Sequence, residues 1–167
     1  EKAVRYKEYF KENGGITVSG GEPLLQADFV RELFEFAHKE KIHTCLDTSG
    51  SIMNDSVKAL LEETDIVLLD IKYTDESLYE KHVGCRMEKV TEFLSYLEAK
   101  KIPTVLRQVI IPSLNDNEEN VLKLKALSEE HTCVQKIELL PFRKICQVKY
   151  DKMGIEFPFS HLPEPKK

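Results

Sequence analysis

The 167 residues predict an α/β fold built on a parallel sheet, on three observations. Short β-branched or apolar runs recur every few tens of residues, amphipathic helical stripes lie between them, and no low-complexity linker interrupts the alternation. Alternation of this kind gives βα units joined by right-handed crossovers, with helices covering at least one face of the sheet. At this length and 41% apolar composition the chain forms one sizeable core, hence one domain spanning 1–167.

Taken in order, the strand signals are GITVS (15–19), IHTCLD (42–47), DIVLLDIK (65–72), TVLRQVII (104–111) and KIELLP (136–141). Each is a short apolar run and reads as a buried strand. The helical stripes are Phe29, Leu33 and Phe36; Val57, Leu60 and Leu61; Met87, Val90, Phe93, Leu94 and Leu97; and Val121, Leu124 and Leu127. Asn54 caps the second, and a capping box, Asn115 to Glu118 or Asp116 to Glu119, opens the fourth. The segment 142–167, with Pro158, Pro163 and Pro165, cannot continue the pattern and is expected to wrap the outside or fray. The opening EKAVRYKEYF is helical in character and begins without methionine.

Composition excludes several classes. The net charge of −5 is mixed along the chain and gives no basic field for nucleic acid. No stretch approaches the roughly 20 apolar residues of a membrane span, and the N-terminus lacks a signal-peptide layout, so the expected setting is cytoplasmic. Cys45, Cys85, Cys133 and Cys146 lie far apart with no CxxC pairing and read as small buried apolar residues.

Function is signalled at the carboxyl ends of the strands, where ligands bind in parallel α/β folds. Glu22 follows the first strand, Asp47 closes the second, Asp70 and Lys72 close the third, Arg107 lies in the fourth, and Arg143 follows the fifth. A single charge there is usually the solvated start of a loop, but five strands each delivering one suit a zwitterionic ligand: acids and backbone carbonyls accept from an ammonium, Lys and Arg hold a carboxylate. In SGGEP, Gly20 and Gly21 permit a sharp bend and Pro23 biases Glu22 to extended backbone. Taken alone, the pentapeptide is equally an ordinary strand-to-helix turn with a solvated glutamate.

Five segments, GGITVSGGEPLLQADFV, LDTSG, DIVLLDIKYTDESLYEKHVG, VLRQVIIPSLNDNEENV and IELLPFRKICQVKYDKMGIEFPF, occur in this order from about Gly14 to Phe159. Together they resemble the radical S-adenosylmethionine (SAM) enzymes, and most closely the activases of glycyl radical enzymes, the pyruvate formate-lyase activating enzyme group. The resemblance implies a partial TIM-like (β/α) barrel, cytoplasmic, binding S-adenosylmethionine and a [4Fe–4S] cluster, fed by an electron donor such as flavodoxin or ferredoxin. It also implies reductive cleavage of the cofactor to a 5′-deoxyadenosyl radical that abstracts hydrogen from a glycine of a partner enzyme. By the same resemblance Gly20, Gly21, Glu22 and Pro23 face the methionyl ammonium, and Asp47, Thr48 and Asp70 hold a monovalent cation. Lys72 and Arg107 face the carboxylate or ribose, while Val109, Leu140 and Arg143 surround the nucleoside; for Val109 and Leu140 plain core is the competing role.

Three departures are visible. Arg143 stands where the activases typically carry histidine, KICQVKY lacks the glycine usual there, and the cluster motif CxxxCxxC is absent. The expectation is a chain carrying about five of six βα units, without the first strand and the cluster loop, inert by itself and with an unpaired edge on ITVS covered by Glu1–Glu12 or a neighbour. Rival functions are another radical SAM maturation reaction, an aldolase-type lyase using Lys72 as Schiff-base amine, and a non-enzymatic binding module.

Overall fold

A computed structural model describes residues 2–11 and 14–165. Strands β1 (Gly15–Val18), β2 (His43–Thr48), β3 (Ile66–Asp70), β4 (Thr104–Ile110) and β5 (Val134–Pro141) form one sheet in the order β1-β2-β3-β4-β5. All four pairings are parallel. Spatial order follows chain order without reversal, which is the wall of a singly wound barrel; a doubly wound sheet would have a switch point. The wall does not close, since β1 pairs with β2 and β5 with β4 and neither has a second neighbour among the described residues. This is the partial TIM-like barrel that the sequence implied.

The helices are α1 (Lys2–Arg5), α2 (Lys7–Phe10), α3 (Ala27–Lys39), α4 (Asp55–Glu62), α5 (Glu76–Val83), α6 (Met87–Lys100), α7 (Glu118–Glu129) and α8 (Gln147–Met153), with a 3-10 turn at Pro23–Gln26 before α3. The expected cover of the β1 edge by a helix over Glu1–Glu12 lies partly outside the described residues, Glu1 and Glu12 among them; Lys2 to Phe10 form two short helices that break at Tyr6. Asn54 caps α4 as expected, its side chain accepting from the Val57 amide at 2.9 Å, a contact worth about 1 kcal/mol. The cap of α7 was misplaced by the sequence: it is Asn117, which accepts from the Asn120 amide, while Asp116 accepts from Ser113 and Asn115 turns inward.

Burial follows strand parity. Thr44, Leu46, Thr48, Val67, Leu69, Thr104, Leu106 and Gln108 face the helices and are at most 3% exposed. Residues of the opposite parity, among them Cys45, Asp47, Leu68, Asp70, Arg107 and Val109, are only half-buried, Val105 at 8% being the exception. The strands are thus buried on one face only: helices cover it, in line with the expectation of cover on at least one face, and the other lines a half-barrel with no opposing strands among the described residues to fill it. Against the covered face pack Phe34, Val57, Leu60, Leu61, Tyr79, Val90, Phe93, Leu94, Leu97 and Leu124, each buried side chain contributing about 1.5–3 kcal/mol.

The stripe expected on α3 is also corrected. Phe29 and Phe36 are 66% and 46% exposed, and the buried residues are Ala27, Val30, Phe34 and Ala37. Two apolar stripes run along this helix, and the smaller residues let it approach β2 and α4. On α7, Leu124 is buried but Val121 is 44% exposed. After β5 the chain folds back, placing Phe142 and Phe157 in the core, with ring centroids 6.4 Å apart, and adding α8.

Candidate functional site

The carboxyl ends of β1 to β4 and one side of α8 enclose a cleft of about 700 Å³ lined by Gly20, Gly21, Glu22, Asp47, Thr48, Asp70, Lys72, Arg107 and Lys149, with Ser19, Ser49 and Ser51 at its edge. Parity and register build it. Asp70 stands beside Arg107 in the β3–β4 ladder, and Asp47 lies one strand further on, opposite Leu68. Arg107 Nε donates to Asp70 Oδ1 at 3.1 Å, and its Nη2 donates to Asp47 while lying 3.0 Å from the same Asp70 oxygen. Lys72 Nζ donates to Asp70 Oδ2 at 2.6 Å. The two acids are thus spanned by one guanidinium, with an ammonium at the open end. Burial raises the Asp47 carboxyl above its ordinary range; Arg107 opposes this and Asp70 reinforces it.

Glu22 is placed beyond β1 as expected, but its carboxylate already has four donors. Oε1 accepts from the Leu24 amide at 3.1 Å and the Thr48 hydroxyl at 2.6 Å. Oε2 accepts from the Ser49 amide at 3.0 Å and the Ser49 hydroxyl at 2.5 Å. Glu22 therefore stitches the loop after β1 to the end of β2, and the groups left facing the cleft are the backbone of Gly20 and Gly21. Gly20 has φ +135°, which only glycine adopts at low cost. Gly50, just past Ser49, has φ +64°, and a Cβ there would stand 2.6 Å from Leu69 Cδ1, so the loop that supplies Ser49 packs flat on the core.

The residues implied for a monovalent cation have other partners: Thr48 donates to Glu22, and Arg107 is the counter-ion between Asp47 and Asp70. Val109 and Arg143 lie apart from the charged cleft, in an adjoining apolar one of about 500 Å³ shared through Lys72 and walled by Tyr73, Phe142 and Phe159. Arg143 donates to Glu164 at 3.2 Å and to the Pro165 carbonyl at 3.3 Å. Leu140 is paired with Val109 across β4 and β5 and is 36% exposed. Sequence reasoning missed Lys149, Ser49 and Ser51. The serines were visible in DTSGS as hydroxyl partners for a carboxylate, whereas Lys149 reaches the cleft only because α8 folds back.

A family model, the radical SAM superfamily, matches residues 1–124. The chain belongs to the radical SAM superfamily. It is 36% identical over 170 residues, covering 100% of the chain and 69% of the relative, to pyruvate formate-lyase 1-activating enzyme of Escherichia coli (strain K12). It is 35% identical to pyruvate formate-lyase-activating enzyme of Staphylococcus epidermidis, over 96% of the chain and 66% of the relative. In structure it superposes on a domain of pyruvate-formate lyase-activating enzyme from Bacteroides vulgatus with a TM-score of 0.74 at 20% identity, covering 93% of this chain and 87% of that one. It also matches Streptococcus suis SuiB bound to S-adenosylmethionine, TM-score 0.66 at 18% identity, over 81% of this chain and 32% of that one. These two likenesses are of fold. The relatives are radical SAM activating enzymes, and the family implies S-adenosylmethionine and a [4Fe–4S] cluster.

The donor set of the cleft fits the first group: acids and glycine carbonyls for an ammonium, Lys72 and Lys149 for a carboxylate, and an apolar annex beside Val109 for a nucleoside. The cysteines do not fit the second. Cys45 lies on β2, Cys85 between α5 and α6, Cys133 before β5 and Cys146 before α8. No group of three or more His, Cys, Asp or Glu among the described residues is arranged to hold a metal ion. Burial raises the Cys45 thiol and pushes that of Cys133 up to about 11, the reverse of what thiolate ligation requires. Among the described residues no helix is long and apolar enough to cross a membrane.

Proposed function

We propose that this chain supplies the S-adenosylmethionine-holding wall of an activating enzyme that installs a glycyl radical on a pyruvate formate-lyase-type partner. What carries the reading is the convergence of two acids, two ammonium groups and an open glycine pair in one cleft at the carboxyl ends of four parallel strands. The ammonium of the ligand lies against the Gly20–Gly21 backbone with Asp47 as counter-charge. Its carboxylate takes Lys72 and Lys149, and Arg107 fixes the spacing of Asp47 and Asp70 while the ligand enters. Val109 and Leu140 wall the nucleoside. The 5′-deoxyadenosyl radical chemistry of the family would need a [4Fe–4S] cluster, for which the described residues of this chain offer no ligand set. That chemistry, the flavodoxin- or ferredoxin-type donor and the glycyl partner rest on the family resemblance and on the relatives' names.

A Schiff-base lyase through Lys72 is disfavoured on geometry. Its amine is salt-bridged to Asp70 at 2.6 Å, whereas a nucleophilic lysine needs an apolar pocket or a neighbouring cation. Calorimetric titration of the chain with S-adenosylmethionine is expected to show a Kd of about 1 mM or tighter, some −4 kcal/mol. Lys72→Ala is expected to weaken it about tenfold while leaving 5′-methylthioadenosine, which lacks the amino-acid part, nearly unaffected. Equal weakening of both ligands, or no binding by the wild-type chain, would overturn the reading.

A further inference from the structure

Asn115 sits just beyond β4 and is 1% exposed, yet it is not the helix cap its sequence position suggests. Its Oδ1 accepts from the Ile111 amide at 2.6 Å, and its Nδ2 donates to two carbonyls, Val109 at 2.9 Å and Lys72 at 3.4 Å. The last backbone rung between β3 and β4 at this end is Ile71 N–H to Arg107 O, at 2.8 Å. Beyond that rung the strands part, and the Asn115 amide takes the place of the next one. It joins the residue that presents an ammonium to the cleft, Lys72, to the residue that walls its apolar annex, Val109. The turn that delivers it is tight. Leu114 and Asn115 both donate to the Ile111 carbonyl, at 3.1 and 3.3 Å, and Ser113 holds φ +65°, a left-handed conformation uncommon outside glycine and asparagine.

We infer that Asn115 is a positioning residue for ligand binding: it fixes the separation of the β3 and β4 ends, so that the Lys72 ammonium and the Val109 wall address one ligand at once. A second buried amide gives the contrast. Asn120, 5% exposed, pairs reciprocally with Gln108 and accepts from Thr74, and it makes no bond to Lys72. A role in stability alone predicts the same phenotype for both asparagines.

The inference rests on the proposed S-adenosylmethionine site, and its test separates the two. In the full chain, each lysine is acetylated with the N-hydroxysuccinimide ester of acetic acid and its rate followed by mass spectrometry, for wild type, Asn115→Ala and Asn120→Ala. Asn115→Ala is expected to raise the Lys72 rate about fivefold, the equivalent of one lost hydrogen bond, with Lys149 unchanged. Asn120→Ala is expected to lower the melting temperature without raising the Lys72 rate. Asn115→Ser, which keeps a polar side chain too short to span both carbonyls, gives the same readout if the alanine variant fails to fold. S-adenosylmethionine affinity is expected to fall about fivefold in the Asn115 variants only. A Lys72 rate that rises equally in the Asn120 variant, or not at all, overturns the inference. Failure of the wild-type chain to bind S-adenosylmethionine overturns the functional reading, and the acetylation rates then decide the structural claim by themselves.

Discussion

At the amino ends of the strands Asp65 accepts from the Thr44 amide at 2.8 Å, the Thr44 hydroxyl at 3.1 Å and His38 Nε2 at 3.0 Å. His38 Nδ1 meets Glu63 Oε2 at 3.0 Å. At the carboxyl ends Asp47 meets Arg107, which it shares with Asp70. Both are knots of two acids with two basic groups, His38 and, at 3.8 Å, His43 at the amino end and Arg107 and Lys72 at the carboxyl end, but burial works out differently in each. Asp65 is raised by burial, yet the Thr44 amide and His38 outweigh this and hold it below its ordinary range. Asp47 remains raised, because burial and the Asp70 charge outweigh Arg107. The amino-end knot is locally satisfied and ties α3 to the loop between α4 and β3. The carboxyl-end knot keeps one carboxyl raised beside an open cleft, the division expected of the stability and functional ends of such a barrel.

The largest expected effect comes from breaking the amino-end knot. Asp65→Ala leaves the Thr44 amide, on a residue 0% exposed, without an acceptor, at a cost of about 2–3 kcal/mol. A calorimetric melt should fall by about 5–10 °C with S-adenosylmethionine affinity unchanged; a parallel loss of affinity would dissolve the distinction between the two ends.

A smaller effect is expected from His38→Gln. Burial lowers the His38 imidazole, but its bonds to Asp65 and Glu63 outweigh this and hold it above its ordinary value of 6.5. The stability it adds is therefore complete below that value and lost as pH rises through the folded one. Urea denaturation of the wild type should lose no more than about 1 kcal/mol between pH 6 and 8.5, and the glutamine variant should lack that slope. An unchanged slope would show that the knot is not charged.

Asp47→Asn sharpens the comparison with the smallest shift in stability. A carboxyl raised in the folded state opposes folding once ionised, so the amide is expected to leave the melting temperature unchanged or raise it by about 1–2 °C. Affinity for S-adenosylmethionine should fall in the same variant. A melting loss like that of Asp65→Ala would make the carboxyl-end knot a structural one.

Much of this was legible in the chain. The five strands were, because β-branched runs between polar turns carry their own signal, and so was the Asn54 cap, a contact three residues long. α5 was passed over: it is eight residues with one buried side chain, Tyr79. The stripe on α3 was misread because Phe29 and Phe36 recur at helical spacing as well as Val30, Phe34 and Ala37 do, and only the approach of β2 and α4 selects between them. Asn115 looked like a cap because its partners, Lys72 just past β3 and Val109 on β4, lie on two different parts of the sheet.

By itself, then, the sequence determined the alternation of strand and helix and the delivery of a charge to each strand end, both properties of period and local propensity. Which carboxylate is held by which cation, and that Glu22 is spent on Thr48 and Ser49 rather than left free, was decided only by tertiary structure. Apart from Lys72 with Asp70, two residues apart, those partners lie 26 to 60 residues apart in the chain, as for Thr48 with Glu22 and Arg107 with Asp47. Parallel pairing brings them within hydrogen-bonding reach, and no local pattern encodes that distance.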